Sequence, residues 1–128
     1  MNVFTLASRV AVAAPFVYLG WQAARQPGGR VKAAEAFGIP ADLSDLAVRA
    51  NGAAMVAGGL SVATGILPRL GAAGVLAALV PTTIAGHPFW KETDPQARAA
   101  QLTQALKNLG MAGGLLAVVA APGGRTPS

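Results

Sequence analysis

The sequence predicts an all-α fold, an integral membrane four-helix bundle built from two helical hairpins, and three observations carry that expectation. The 128 residues are 53% hydrophobic and 12% charged, with a mean hydropathy of +0.49, whereas a soluble chain wets its surface with about 25% charged residues. The charges are confined to five places: Arg9, the segment 25–49, Arg69, the segment 91–107 and Arg125. Between them lie four stretches with little or no charge, at 3–24, 50–68, 70–88 and 108–124. At a rise of about 1.5 Å per residue, roughly 19 residues cross the ~30 Å hydrocarbon layer. Lipid offers a bare backbone no hydrogen-bond partner, so each crossing must be helical.

We expect one domain over residues 1–128, with spans near 3–24, 46–67, 70–87 and 104–121. A soluble alanine-rich bundle would need a polar stripe along each helix, and residues 50–68 offer only Asn51, Ser61 and Thr64. The first span is long for a signal-peptide core and has no clean small-residue cleavage site after it, so it reads as a retained helix. Pro27-Gly28-Gly29 ends it. Residues 31–37 suit a short interfacial helix, which Gly38-Ile39-Pro40 stops. Asp42 and Asp45 favour the first turn of the next helix, with Asp45 and Arg49 at i,i+4 spacing. Spans two and three join tightly through Leu67-Pro68-Arg69. After span three, His87-Pro88-Phe89-Trp90 leads to Asp94-Pro95, an N-cap followed by proline at the first helical position. The fourth helix therefore begins before the membrane, with Arg98, Gln101 and residues 104–107 on a solvated face.

This topology puts both termini and Arg69 on one side of the bilayer and the two long connections on the other. The long-connection side carries all five acids and seven of the ten bases. Counting Lys and Arg places that side in the cytoplasm. Helices in lipid associate through close backbone approach and polar contacts, and two lines of small residues supply the approach. Asn51, Gly58 and Gly65 recur every seven residues on span two. On span four, Gly110, Gly114 and Ala117 continue a line from Lys107. Both lines are assigned to the bundle interior, with Gly58, Gly65, Gly110 and Gly114 as helix-packing positions.

Polar residues from three helices meet at one depth on the long-connection side: Arg49 and Asn51, His87 and Trp90, Lys107 and Asn108. Asn51, His87, Trp90, Lys107 and Asn108 form the candidate ligand-binding site or, on the other reading, a polar network closing the buried ends of three helices. As the sole histidine, His87 makes a poor metal site with Asn and Lys. Its imidazole can donate or accept, which suits a proton relay or a quinone headgroup. Phe89 and Trp90 fit an interfacial aromatic belt. Arg9 has no carboxylate on its own side and is expected to reach lipid headgroups or helix carbonyls by snorkelling.

Several chemistries are excluded. Without cysteine there is no disulfide, CxxC pair, thiolate zinc site or cysteine nucleophile. No GxGxxG, Walker loop, HExxH or nucleophile elbow occurs, and the acids make no paired-carboxylate spacing. The net charge of +5 comes from scattered bases, which suits anionic lipid rather than nucleic acid.

These residues resemble the DoxX family of small bacterial membrane proteins, particularly its actinobacterial members. The resemblance runs through Arg9, Asn51 with Met55-Val56-Ala57-Gly58-Gly59, and Gly65-Ile66-Leu67-Pro68-Arg69. It continues through Val80-Pro81-Thr82-Thr83, His87-Pro88-Phe89-Trp90, Lys107-Asn108-Leu109 and Gly113-Gly114-Leu115. It implies a four-helix membrane bundle associated with oxidoreductase assemblies, since family names derive from thiosulfate:quinone oxidoreductase subunits. Many relatives carry a longer basic tail after span four, which this chain lacks, and their tails would put the termini in the cytoplasm instead.

The expected function is that of a non-catalytic membrane subunit or scaffold of an oxidoreductase complex in the bacterial inner membrane, not an enzyme on its own. The alternative is a protein binding a quinone or lipid at one end of the bundle. No cofactor is expected beyond a possible quinone. Expected partners are membrane lipid and a protein of the same complex or a second copy, with no nucleic acid.

Overall fold

Proline, glycine and capping residues divide the chain into five α-helices in a computed structural model that describes residues 2–122. They are α1 (Val3–Arg25), α2 (Arg30–Phe37), α3 (Ala41–Thr64), α4 (Pro68–Gly86) and α5 (Pro95–Ala120), with a 3-10 turn at Phe89–Lys91 before α5. Four of these segments are long and apolar enough to cross a membrane: α1, α3, α4 with the turn after it, and α5. Arg125 and the end of the uncharged stretch 108–124 lie outside the described residues.

Local chemistry explains each boundary. Asn2 Oδ1 accepts the Thr5 amide at 2.8 Å and caps α1. Gly38, at φ 118°, closes the short helix α2 in the left-handed region that glycine adopts without strain. Asp94 Oδ2 accepts the Ala97 amide at 2.9 Å, with Pro95 at the first helical position of α5. Gly65, at φ 77°, caps α3 after Thr64. The second span therefore stops short of residue 67, and Gly65 serves as a helix cap instead of a packing residue.

The spans form an arc in the order α1, α3, α4, α5, with α1 and α5 meeting only slightly at its open ends. α3 is the hub. A Cβ built on Gly20 of α1 would lie 2.6 Å from the Gly52 carbonyl, and one on Gly52 would lie 2.5 Å from the Gly20 carbonyl. No side chain fits there, so the α1 and α3 backbones touch. Gly59 continues this seam, where a Cβ would meet Val17 at 2.8 Å. On the adjoining face of α3, a Cβ on Gly58 would lie 2.6 Å from the Gly71 carbonyl of α4. Two glycine lines thus run side by side: Gly52 and Gly59 toward α1, Asn51 and Gly58 toward α4.

α5 is arranged differently. Its buried residues are Asn108 and Leu115, again seven apart. The expected interior line fails: Lys107, Gly110 and Ala117 are exposed, and a Cβ on Gly110 would meet nothing within 4 Å. The true line lies one residue away, about 100° around the helix, because Leu115 fills the core instead of a glycine thinning it. Gly114 borders α1, where a Cβ would lie 3.3 Å from Val12. The core gathers Ala13, Phe16, Met55, Val62, Ala72, Val75, Ala78, Leu79 and Leu115. Large apolar side chains cover the outside, including Phe4 at 82% exposure and Leu109 at 67%. A water-soluble monomer rarely tolerates such a continuous apolar surface, whereas the bilayer interior requires it.

Candidate functional site

The polar centre of the bundle is built on α4, where Pro81 is followed by two threonines. Pro81 has no N–H to return to the Ala77 carbonyl, so the helix ladder loses a rung there. Thr82 and Thr83 bind the next two carbonyls: Thr82 Oγ1 donates to Ala78 at 2.8 Å and Thr83 Oγ1 to Leu79 at 2.8 Å. Successive residues point about 100° apart on a helix, so the two hydroxyls face different neighbours. Thr82 accepts from Asn51 Nδ2 of α3 at 2.8 Å. Thr83 accepts from Asn108 Nδ2 of α5 at 2.9 Å. Each asparagine thereby spends its amide on a hydroxyl inside a low-dielectric layer, where an unpaired polar group costs several kcal/mol.

One turn beyond Thr83, His87 closes α4. Its Nδ1 lies 2.8 Å from Gln101 Oε1 of α5, so the ring nitrogen is the donor of that bond, the amide oxygen having none to give. Asn108–Thr83 and Gln101–His87 are two successive polar latches along one seam.

The five candidate residues therefore do not converge on one pocket. Asn51 and Asn108 grip α4 from opposite sides, and His87 joins Gln101. Trp90 is 51% exposed and stacks edge-on against Phe89, ring centroids 5.2 Å apart, as a belt aromatic would. Lys107 is exposed and lines a groove between α1 and α5 of about 530 Å³, with Val12, Pro15 and Met111 among its walls.

Two arginines serve as caps for neighbouring helices. Arg49 Nη1 donates to the Ala24 carbonyl at 2.8 Å, at the C-terminal end of α1, while its Nε pairs with Asp45 at 2.8 Å. Arg69 Nε donates to the Val119 carbonyl at 2.9 Å, at the C-terminal end of α5. Each cation meets the negative end of a helix dipole and satisfies an orphan carbonyl. Arg9 is half-buried, one turn from Ala13 on the inner stripe of α1, with no hydrogen-bond partner among the described residues.

Thr82, Thr83 and Gln101 carry the interhelical bonds and were not singled out as site residues in the sequence. Their signal was a pair of hydroxyls directly after an intrahelical proline, and a glutamine fourteen residues after the sole histidine. Chemically the arrangement fastens three helices through neutral hydrogen bonds. Among the described residues, no group of three His, Asp or Glu side chains comes together in a way that could hold a metal ion.

A model of the DoxX family matches residues 4–88, from the start of α1 through the end of α4, with Arg9, Asn51, the Thr82-Thr83 pair and His87 inside the match. No curated protein and no solved structure gives a match. The match covers well over half of the chain, and four helices are long and apolar enough to cross a membrane. This multi-pass integral membrane protein belongs to the DoxX family.

Proposed function

We propose that the protein is a non-catalytic subunit or scaffold of an oxidoreductase complex in the bacterial inner membrane. The observation that supports this most is how the interior polar groups are used. Asn51, Asn108 and His87 are bonded to Thr82, Thr83 and Gln101 of neighbouring elements, a use that fixes helix positions. The charged long-connection side, with Arg30 and Lys32 on α2 and Lys91 after α4, offers a surface for a peripheral partner. The oxidoreductase association comes from the family resemblance.

Purification in mild detergent followed by native mass spectrometry tests this. The expected result is a protein partner at fixed stoichiometry, retained by His87→Ala and lost in Gly58→Leu, where the new side chain meets the Gly71 backbone. Loss of the partner in both variants, or purification of the chain with no partner, counts against the scaffold.

A second reading, a membrane protein that holds a quinone or lipid, is favoured by the open α1–α5 groove with Lys107 in its wall. Under it, a lipophilic molecule co-purifies at one per chain without a protein partner.

A further inference from the structure

α1 and α5 meet only slightly and leave a gap between them that has a charged residue in its wall; a second groove, of about 640 Å³ on the α3–α4 face beside Gly58 and Gly71, has none. The gap is a groove of about 530 Å³, within the size range of sites for small lipophilic ligands. Its walls are apolar except for Lys107: Ala11, Val12 and Pro15 from α1, Met111 and Gly114 from α5.

Its depth in the bilayer follows from the helix register. Gln101 is level with the end of α4, since it bonds His87. Lys107 is six residues further along α5, about 9 Å toward the bilayer centre. Helical Cα–Cβ bonds tilt toward the helix N-terminus, so the lysine stem leans back toward the long-connection surface, the direction of the headgroups. From there the groove descends past Gly110 to Gly114, opposite residues 11–15 in the middle of α1. It therefore runs about 10 Å along α5 from Lys107 toward the midplane, with the lysine stem leading from its upper end toward the headgroups.

The charge at its mouth is uncompensated. The ion pair among the described residues is Arg49–Asp45, and no carboxylate lies within salt-bridge distance of Lys107. A lysine facing lipid at that depth calls for an anion from the lipid.

We infer that the groove holds an acyl chain of an anionic phospholipid from the leaflet on the long-connection side, with the lipid phosphate on Lys107. This rests on the ligand-binding reading above, names its ligand and moves the site from the polar latches to the α1–α5 seam. A bilayer lipid has the required shape: a chain for the apolar walls and an anion at their upper end.

The test is native mass spectrometry of the full chain released from nanodiscs of equal phosphatidylglycerol and phosphatidylcholine. One phosphatidylglycerol should remain per chain, preferred over phosphatidylcholine by about fivefold, the scale of one lysine–anionic lipid contact. Lys107→Gln should remove the preference. Gly110→Phe should remove the retained lipid altogether with helix content unchanged, because Gly110 lines the groove and a Cβ there meets nothing within 4 Å. Arg98→Gln, an exposed base on the same side but outside the groove, should behave as the parent. Retention of lipid unaffected by Lys107→Gln and Gly110→Phe overturns this site while leaving a lipid-binding role standing. No retained lipophilic molecule at all overturns both. A dimer that Gly110→Phe dissociates overturns the lipid in favour of a second copy in the groove.

Discussion

Asn108 of α5 donates its side-chain amide to the hydroxyl of Thr83 on α4 at 2.9 Å. Asn51 of α3 makes the same bond to Thr82, the residue before it. The two latches share one helix turn, so α4 is held from both sides just beyond the rung that Pro81 deletes. The proline and the two asparagines flank one polar turn: the threonine hydroxyls donate to the Ala78 and Leu79 carbonyls, next to the Ala77 rung that Pro81 deletes, and accept from Asn51 and Asn108.

If that bond holds the α4–α5 seam, Asn108→Ala and Thr83→Val should each lower bundle stability, with a coupling of about 0.6–1.7 kcal/mol. A double-mutant cycle on unfolding in mixed micelles measures it. Strictly additive effects would mean that the bond contributes nothing.

The glycine contacts predict a contrast between positions of equal composition. Gly52→Leu should destabilise by about 3 kcal/mol through overpacking, since its Cβ alone would sit 2.5 Å from the Gly20 carbonyl. Gly74→Leu should stay within about 0.5 kcal/mol of the parent, because a Cβ there meets nothing within 4 Å. Thermal aggregation in detergent ranks the two, and equal losses would contradict the close approach.

Removing the cap on α5 should loosen only its end. Arg69→Gln should cost about 1 kcal/mol and raise amide exchange in the last turn before Ala120. Arg69→Lys should fall between, retaining the charge but not the guanidinium geometry. Unchanged exchange in Arg69→Gln would show that the Val119 carbonyl is satisfied some other way.

At the other end of the same helix, Asp94→Ala should cost about 1 kcal/mol, whereas Asp94→Asn should be nearly neutral. Hydrogen exchange at the Ala97 amide reads this directly, since that amide donates to Asp94 Oδ2. Equal protection in both variants would argue against the cap.

Much of the fold was legible in the sequence because the bilayer imposes strong local rules. Charge spacing marked the four long apolar helices, Asp94-Pro95 marked the start of α5, and residues 31–37 formed the expected short helix. The Asp45–Arg49 pair followed from helical spacing alone. Gly65 shows where such reading runs out. Its seven-residue spacing from Gly58 suggested packing, but a helix ending at Thr64 places it in the turn, and periodicity carries no information about where a helix stops.

The packing lines show the same limit. On α3, the Asn51–Gly58 line was visible, while the equally important Gly52–Gly59 line beside it was hidden in a glycine- and alanine-rich background. On α5, glycines were read as interior markers, but the interior is Asn108 and Leu115, one step round the helix. A small residue permits close approach without requiring it, and only the partner's surface decides which glycine is used.

The sequence by itself determined the number of long apolar helices, the start of α5 at Asp94-Pro95 and the separation of the charges from the apolar stretches. These follow from helix capping and from the transfer of backbone and side chains into hydrocarbon, which each segment settles alone. Tertiary structure decided which polar groups meet: Asn51 with Thr82, Asn108 with Thr83, His87 with Gln101, and Lys107 turned away toward α1. Those pairings depend on the rotation of each helix about its axis, set for α1, α3 and α4 by the touching backbones at Gly20–Gly52 and Gly58–Gly71 and for α5 by the burial of Asn108 and Leu115, contacts that exist only once the helices are together.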